Sequence, residues 1–314
     1  SDQSVPWCSA GYYLPKRPSF TQDPLFHAGT YYVQEAGSML IEQLLKPVMK
    51  ELTNACILDA CAAPGGKSTH LLSLFGENVV LVSNEIIPNR NKTLRYNLAK
   101  WGYANKIITQ SEPEKLATTQ IRFDLIVVDA PCSGEGLFRK DPGAIQEWSG
   151  ERAAHCARRQ ENILKALTPL LKQGGLLLYS TCTYNPDEND HQIELLVRSG
   201  QFEVITGSAP EGIVHTQYGW QAYPHRANTE GFYCCLLRYT GETASIGKSR
   251  HKMPGTTKDI LGLKDKWLKK DSDLEIYSHN PNIHFANRNT AEKVSLLTGA
   301  YIREFGILAG EIKG

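Results

Sequence analysis

The sequence predicts an α/β fold with a doubly wound, mostly parallel sheet, and three features of the chain indicate it. Apolar runs typical of buried strands alternate with helical stretches between residues 55 and 198. A Gly-rich turn follows the first run, at the place where sheets of this kind bind ligands. Two later strand candidates have no helix between them, so we expect them to pair antiparallel at one edge of the sheet.

The predicted elements can be placed in chain order. The strand runs are Ala55–Asp59, Val79–Glu85, Lys106–Thr109, Phe123–Ala130 and Gly175–Thr181, and the edge strands are Phe202–Thr206 and Gly231–Tyr239. The helices are one near Gln34–Met49, then Lys67–Phe75, Pro88–Trp101, Glu151–Leu171 and Asp187–Arg198. Pro88 suits a first helical turn, and the Gly174-Gly175 pair suits a helix stop before a strand.

The composition is that of an ordinary globular chain, with 41% hydrophobic and 21% charged residues and a net charge of +1. No apolar run is long enough to span a membrane, so we expect a cytoplasmic protein that has no membrane partner. The eight cysteines lack the spacing of a zinc site or a disulfide framework. We therefore expect reduced thiols in a cytosol-like compartment and no metal. We also expect a monomer.

The stretch Asp59-Ala-Cys-Ala-Ala-Pro-Gly-Gly-Lys67 follows the first strand run and opens a helix. Its glycines allow close approach of the backbone to a ligand, and the helix N-terminus offers N–H groups. A nucleotide-hydrolysing P-loop needs glycine at the position of Cys61, which makes an NTPase the weaker alternative. Glu85 ends the second run, where an acid holds a ribose, although strand-end acids also cap helices. We favour a bound nucleotide-type cofactor.

Two cysteines each close a strand run. Cys132 follows Asp129-Ala-Pro, and Cys182 follows Ser180-Thr. Because the carboxyl ends of parallel strands meet at one edge, we expect both thiols to lie near the Asp129 carboxylate. A lone strand-end cysteine is most often a small buried hydrophobe. Cys61 is interpreted as structural, and the cysteines interpreted as packing residues are Cys56, Cys156, Cys234 and Cys235.

Methylation of a pyrimidine at carbon 5 is the chemistry that needs this set of groups. Carbon 5 becomes nucleophilic only after a thiolate adds to carbon 6, and it then takes a methyl group from a sulfonium donor. A carboxylate stabilises the adduct by hydrogen bonding at ring nitrogen 3. A base finally removes the carbon-5 proton so that the thiolate can leave, and the target base must be unstacked to reach the pocket.

Three motifs in order resemble the Nol/Nop/Sun family of RNA 5-cytosine methyltransferases, and within it the bacterial RsmF-like branch of 16S rRNA methyltransferases. These motifs are Asp59–Lys67, Asp129-Ala-Pro-Cys-Ser-Gly-Glu-Gly136 and Ser180-Thr-Cys-Thr183. Phe26-His-Ala-Gly29, Tyr31-Tyr-Val-Gln34, Tyr223-Pro-His-Arg226 and Glu230-Gly-Phe-Tyr233 also match it. The similarity covers roughly residues 5–240. It implies a class I, Rossmann-like methyltransferase domain that acts on RNA, specifically rRNA of the small ribosomal subunit.

The resemblance also implies S-adenosylmethionine as the donor. It would be held by Cys61, Ala62, Ala63, Pro64, Gly65, Gly66 and Lys67, by Glu85 at the ribose, and by Glu112 at the adenine, with Asp129 also at its edge. Glu112 stands where the family usually has Asp. Asp129 matches the carboxylate of the cytosine pocket, and Lys67 is expected to reach the cytosine as well.

The family assigns the nucleophile to the Thr-Cys motif, hence Cys182, and assigns product release or proton removal to Cys132. The residues alone do not make this choice, because DNA 5-cytosine methyltransferases use the Pro-Cys thiol as the nucleophile. The presence of both thiols separates the RNA type from the DNA type.

We divide the chain into four expected segments. They are an N-terminal extended or lid segment (1–40), a catalytic domain (41–240), a basic linker (241–270), and the incomplete start of a C-terminal accessory domain that binds RNA (271–314). Residues 245–270 contain eight basic and two acidic residues, a local charge of +6 that attracts phosphate, although a solvated linker is the simpler interpretation. We expect the chain to be a piece of a longer protein.

The expected function is methylation of carbon 5 of a cytosine in 16S rRNA. Two alternatives stay open: an RNA-binding ribosome-assembly factor without turnover, and the same chemistry on tRNA. Arg139 and Lys140 suit a phosphate contact or a solvated turn equally well. For the aromatic residues of 26–32 we prefer packing to stacking on an unpaired base.

Overall fold

Strands and helices alternate along most of the chain in the computed structural model, which describes residues 3–16, 18–245, 253–256, 258–279 and 281–311. Its strands are β1 (Cys56–Asp59), β2 (Val80–Asn84), β3 (Lys106–Thr109), β4 (Phe123–Asp129), β5 (Leu171–Thr181), β6 (Phe202–Val204), β7 (Val214–His215), β8 (Trp220–Ala222), β9 (Phe232–Tyr239), β10 (Glu275–His279), β11 (Asn282–Ala286), β12 (Ile302–Phe305) and β13 (Ile307–Glu311). Its helices are α1 (Pro24–His27), α2 (Ile41–Leu45), α3 (Gly66–Phe75), α4 (Pro88–Trp101), α5 (Pro113–Ala117), α6 (Pro142–Glu147), α7 (Gly150–Leu167), α8 (Asp190–Arg198), α9 (Lys258–Trp267) and α10 (Arg288–Leu296).

The chain divides into two compact units. The first unit comprises the described residues of Ser1–Asp23, Val33–Leu52 and Phe123–Ala244. The second unit comprises those of Pro24–Tyr32, Thr53–Arg122 and Ser245–Gly314.

Parallel strands form the centre of the second unit. The strand order is β12-β3-β2-β1, with β1, β2 and β3 parallel and β12 antiparallel to β3. Every residue of β1, β2 and β3 is buried, which explains the consecutive apolar residues that each strand contains. A fully buried aliphatic side chain such as Ile57 contributes about 1.5–3 kcal/mol to folding. Helices α3 and α10 pack against these strands.

A second, three-stranded sheet belongs to the same unit. Its order is β10-β11-β13, and all its pairs are antiparallel. Helix α9 packs against β10, and the apolar side chains that are buried between them are Ile260, Ile276, Ile283 and Phe285. This helix lies inside the stretch 241–270 that we expected to be a linker, because its apolar residues have a sheet to pack against. The rest of the basic strip lies largely outside the described residues.

The first unit has the strand order β4-β5-β9-β8-β7, with β6 also paired to β9. Strands β4 and β5 are parallel, and β9 runs antiparallel to both β5 and β6. The predicted antiparallel edge pairing of the 202 and 231 segments is therefore confirmed. The short strands β7 and β8 add a further antiparallel hairpin that the sequence did not predict.

The predicted α/β class is confirmed in both units, and most predicted bounds are close to the observed ones. Helix α4 has the predicted limits because Pro88 occupies its first turn and Gly102 ends it with φ of +83°. The end predicted for α7, at Leu171, lies beyond the observed one. The helix stops at Leu167 and a 3-10 turn containing Pro169 follows, since proline has no N–H to continue the helix.

The helix expected near residues 34–49 is broken into short pieces, with α2 between two 3-10 turns. Within the described parts of the chain, no helix combines the length and the apolar character that a membrane span requires.

Candidate active site

The predicted cofactor loop lies in the second unit and follows β1. Ala62, Ala63 and Gly65 are buried, and the N–H of Ala62 donates to the carbonyl oxygen of Asn84 at 2.8 Å. Gly65 has φ of +116°, a conformation that residues with a side chain rarely adopt. Helix α3 begins at the next residue, so its first N–H groups point towards the loop.

Two side chains of α4 donate hydrogen bonds to backbone carbonyl oxygens of this loop. Arg90 donates to the carbonyl oxygen of Ala63 at 2.7 Å, and Asn97 donates to that of Pro64 at 2.8 Å. Arg90 also lies 3.5 Å from the Glu85 carboxylate. Arg90 therefore connects two of the predicted cofactor elements, and the sequence prediction missed this residue.

The start of α3 is fixed to the strands below it. The Ser68 hydroxyl donates to Asp59 at 2.7 Å and lies 2.8 Å from the Ser83 hydroxyl, and all three side chains are fully buried. Lys67, one position earlier, is 9% exposed. A buried network of this kind restricts the conformation of the loop and of the first helical turn.

Glu85 follows β2 and is only 3% exposed. Its Oε1 accepts the N–H of Ile87, the residue before α4, at 2.9 Å. The other carboxylate oxygen faces Arg90. A role at a ribose stays a prediction.

Asn84, at the end of β2, ties together the ends of the neighbouring strands. Its amide donates to the carbonyl oxygens of Ala60 and Ser111, and its oxygen accepts the N–H of Ser111 at 3.0 Å. Glu112 comes next, exposed at the first position before α5, where it makes no side-chain cap. The Asn84 side chain thus connects the end of β2, which leads to Glu85, with Ala60 before the cofactor loop and with Ser111 before Glu112. The sequence prediction missed Asn84.

The aromatic segment 26–32 packs on α4 in the same unit. The Lys100 ammonium lies 3.9 Å from the centre of the Phe26 ring. The centres of the Phe26 and Tyr31 rings are 5.9 Å apart. His27 lies 3.4 Å from the Tyr96 hydroxyl. These contacts agree with packing as the preferred interpretation.

The predicted thiols meet in the first unit, after β4 and β5. Their sulfur atoms, Cys132 Sγ and Cys182 Sγ, are 3.1 Å apart, and neither cysteine is in a disulfide. Asp129 ends β4 opposite Ser180 of β5, whose hydroxyl donates to its carboxylate at 2.8 Å. The structure therefore brings the two thiols together and places Asp129 at the end of the strand that precedes Cys132, while a contact between Asp129 and the thiols stays a prediction.

The environment of Cys132 favours its protonated form. Its hydrogen bond with Cys182, its burial, and the nearby Cys182 and Glu188 charges raise the pKa of the Cys132 thiol well above its usual range. At neutral pH Cys132 is therefore a thiol. The Cys132 thiol lies within hydrogen-bonding distance of the Cys182 sulfur, and either sulfur could be the donor.

The other cysteines have different settings. Cys56, Cys234 and Cys235 are at most 1% exposed, as expected for packing residues. Cys156 is half-buried on α7, and Cys61 is half-buried in the loop.

Arg139 and Lys140 are exposed, and both pair with the same acid. Arg139 forms a two-point ion pair with Glu230, and the Lys140 ammonium lies 3.1 Å from the same carboxylate. Glu230 is nearly buried and its own N–H donates to Glu35 at 2.8 Å. The basic pair thus anchors the loop that follows Cys132 to the segment before β9.

Gly136 lies in that loop and approaches the Cys182 turn closely. Its N–H donates to the Cys182 carbonyl oxygen at 2.9 Å. A Cβ at this position would lie 2.6 Å from the Gly231 oxygen and 2.7 Å from the Cys182 oxygen, both backbone atoms. Only glycine allows this contact without movement of the Cys182 peptide.

We expect Gly136→Ala to lower the free energy of unfolding by about 1–3 kcal/mol, because the new methyl group overlaps the backbone. Urea denaturation measures this change. Gly150→Ala is the matched control, since a Cβ there has no neighbour within 4 Å. That control should be neutral or stabilising by up to about 1 kcal/mol. Equal stability of the Gly136→Ala protein and the wild type would contradict the close approach.

The fold and the strand-end residues place the chain in the class of Rossmann-like methyltransferases. A methyltransferase homologue from Pyrococcus horikoshii is 29% identical, with a TM-score of 0.61, over 76% of this chain and 77% of that one. NSun6 from the same organism, solved with SFG, is 28% identical, with a TM-score of 0.64, over 72% of this chain and 57% of that one.

The chain belongs to the 16S rRNA methyltransferase RsmB/F family, whose model matches residues 42–238. Residues 1–36 match the N-terminal domain of 16S rRNA methyltransferase RsmF. Ribosomal RNA small subunit methyltransferase F of Photobacterium profundum is 34% identical over 80% of this chain and 55% of its own length. The enzyme of the same name from Pectobacterium atrosepticum is 32% identical over 80% and 54%. The chain thus spans about half the length of these relatives, and the predicted family resemblance is confirmed.

Proposed function

We propose that this protein methylates carbon 5 of a cytosine in 16S rRNA, with S-adenosylmethionine as the methyl donor. The observation that carries the proposal is the pair of sulfurs 3.1 Å apart at the ends of two parallel strands, beside a strand-end carboxylate. Family membership supports RNA of the small ribosomal subunit as the substrate.

The first unit would perform the covalent chemistry. Cys182 adds to carbon 6 of the cytosine and makes carbon 5 nucleophilic. Asp129, oriented by Ser180, hydrogen-bonds the ring at nitrogen 3 and stabilises the adduct. After methylation, Cys132 first gives up its own proton to water and then, as a thiolate, takes the carbon-5 proton. The electron pair of the C5–H bond forms the C5=C6 double bond, and the bond between carbon 6 and Cys182 breaks to release the Cys182 thiolate. The raised pKa of Cys132 makes its thiolate a strong base for this step.

The second unit would hold the donor, which supplies an electrophilic methyl group when bound. The Gly65 backbone conformation and the start of α3 suit close approach of a ligand to residues 61–67. Glu85 is assigned to the ribose hydroxyls, since a carboxylate accepts two such bonds. Glu112, exposed after β3, is assigned to the adenine, and Lys67 to the cytosine or its phosphate.

We expect Glu85→Gln to weaken binding of S-adenosylmethionine roughly 10- to 100-fold, because a hydrogen bond to a charged acceptor is worth about 1.5–3 kcal/mol. Isothermal titration calorimetry measures the change. The matched control is Glu77→Gln in the same unit, an exposed glutamate in the turn after α3. Equal affinities of the two variants would remove Glu85 from the ribose contact.

A methyl-transfer assay tests the whole proposal. The protein is incubated with labelled S-adenosylmethionine and with either 16S rRNA or bulk tRNA, and the RNA is digested to nucleosides. Label in 5-methylcytidine from 16S rRNA supports the proposal. Label in tRNA alone favours the tRNA alternative. Confirmed binding of the donor without transfer to any RNA favours an RNA-binding assembly factor.

The C-terminal segment is proposed to contribute to RNA binding rather than to chemistry. Strand β12 nevertheless completes the edge of the second unit's sheet beside β3, and Tyr301 accepts the N–H of Gln110 through its backbone. At least this part of 271–314 is integral to the unit that carries the cofactor loop.

A further inference from the structure

Two adjacent residues between β5 and α8 contact the turns that carry the two thiols. Glu188 and Asn189 are 0% and 3% exposed, and neither was singled out from the sequence. We expected a helix from Asp187 onwards, whereas α8 begins only at Asp190. The two residues before the helix are therefore available for contacts that a helical position would not allow.

Glu188 holds the turn that carries Cys132. Its Oε2 accepts the backbone N–H of Ser133 at 2.9 Å and the side-chain amide of Gln160, also at 2.9 Å. The same Gln160 amide donates to the carbonyl oxygen of Pro131 at 3.0 Å. Glu188 thus fixes the residue after Cys132 directly and the residue before it through Gln160.

Asn189 holds the turn that carries Cys182 in the same manner. Its Oδ1 accepts the hydroxyl of Thr181 at 2.5 Å, and its amide donates to the carbonyl oxygen of Thr183 at 3.0 Å. These are the two residues that flank Cys182. Ser133 and Thr183 also contact each other, with their hydroxyl oxygens 2.9 Å apart.

We propose that Glu188 and Asn189 form a clamp that sets the separation of the two catalytic sulfurs. The inference rests on the proposed function for the roles of Cys132 and Cys182. Both clamp residues are positioning residues, since their contacts are with the turns and not with the reacting atoms. Because they are neighbours in the chain, a single peptide links the two turns.

The energetics support a role other than stability. A buried carboxylate is costly unless its oxygens are hydrogen-bonded. Among the described residues no donor reaches Oε1 of Glu188, and burial raises the pKa of its carboxyl group. Misplacement of a reacting group by about 1 Å costs on the order of 100-fold in rate, so fixing two sulfurs against each other has a large benefit for turnover.

A trivalent arsenical tests the clamp without any RNA or methyl donor. Phenylarsine oxide captures two thiols on one arsenic atom, forming two As–S bonds and releasing water. Capture of the Cys132 and Cys182 peptides as one adduct, followed by mass spectrometry, therefore reports on the distance between the sulfurs. Cys182→Ala gives the background for this peptide pair.

We expect Glu188→Ala and Asn189→Ala to slow this capture by about 10-fold or more, since each releases one turn. Glu188→Gln should capture at the wild-type rate, because one amide oxygen can accept both bonds that Oε2 now accepts. Glu194→Ala on α8, the helix that follows the clamp, removes an ion pair with Arg198; it is the control and should also be unchanged. Thermal denaturation of each variant confirms that it is folded.

Wild-type capture by folded Glu188→Ala and Asn189→Ala proteins would overturn the clamp. If Glu188→Ala does not fold, the Asn189→Ala result alone still decides between the two outcomes. Failure of the proposed function looks different: the wild type would capture the arsenical normally and yet transfer no methyl group to RNA.

Discussion

Replacing Cys182 by alanine is expected to reduce RNA methylation by at least roughly 10³-fold, the scale seen when a nucleophile is removed from an enzyme. Without addition of a thiolate to carbon 6, carbon 5 of cytosine is not nucleophilic enough to take a methyl group. Cys132 does not replace it, because burial and the nearby Glu188 charge still raise the pKa of its thiol when the Cys182 sulfur is absent. The covalent protein–RNA adduct should disappear as well.

The measurement is transfer of labelled methyl groups to 16S rRNA, with a denaturing gel run on the same reactions. Cys156→Ala is the matched control, since it removes a half-buried thiol that lies on α7 and not after a strand. The control should methylate at the wild-type rate. Substantial methylation by Cys182→Ala would remove the covalent step through this residue from the mechanism.

Local sequence signals were sufficient for the strands that carry the site. β1, β3 and β4 each contain consecutive apolar residues, and such runs are typical of strands buried on both faces. Their carboxyl ends then place the Gly-rich loop and Asp129 without further information. The grouping of Cys132 and Cys182 also followed from topology, because parallel neighbours end at the same edge.

Contacts between distant parts of the chain were beyond such signals. Arg139 pairs with Glu230, which is 91 positions away in the sequence, and Arg95 pairs with Glu304, which is 209 positions away. Whether Arg139 meets phosphate, water or a carboxylate depends on which loop packs beside it. The pairing of β12 with β3 was also not predictable, because the sequence of a short strand does not show which other strand it pairs with.

The sequence prediction placed Glu188 and Asn189 in a helix and missed their contacts with the thiol turns. Their sequence, Asp187-Glu-Asn-Asp190, resembles the start of a helix, where acidic and amide residues act as caps. In the structure these side chains instead satisfy backbone groups of the two thiol turns. Capping and clamping use the same acceptor chemistry, so only the packing distinguishes them.

The two thiols have opposite assignments in RNA and DNA cytosine methyltransferases, and a second substitution separates their roles here. Cys132→Ala is expected to abolish turnover while the covalent Cys182–RNA adduct accumulates. Addition to carbon 6 needs only Cys182, whereas release needs a base for the carbon-5 proton, and that base is lost in this variant. A large fraction of the enzyme should therefore be trapped on RNA after one methyl transfer.

A denaturing gel with S-adenosylmethionine and rRNA detects the trapped species as a shifted band that nuclease removes. The double variant Cys132→Ala/Cys182→Ala is the control and should give no band, because the bond to RNA is made by Cys182. A band that persists in the double variant would mean that another residue forms the adduct. A band in Cys182→Ala and none in Cys132→Ala would exchange the two roles, making the Pro-Cys thiol the nucleophile and the Thr-Cys thiol the group that releases the product.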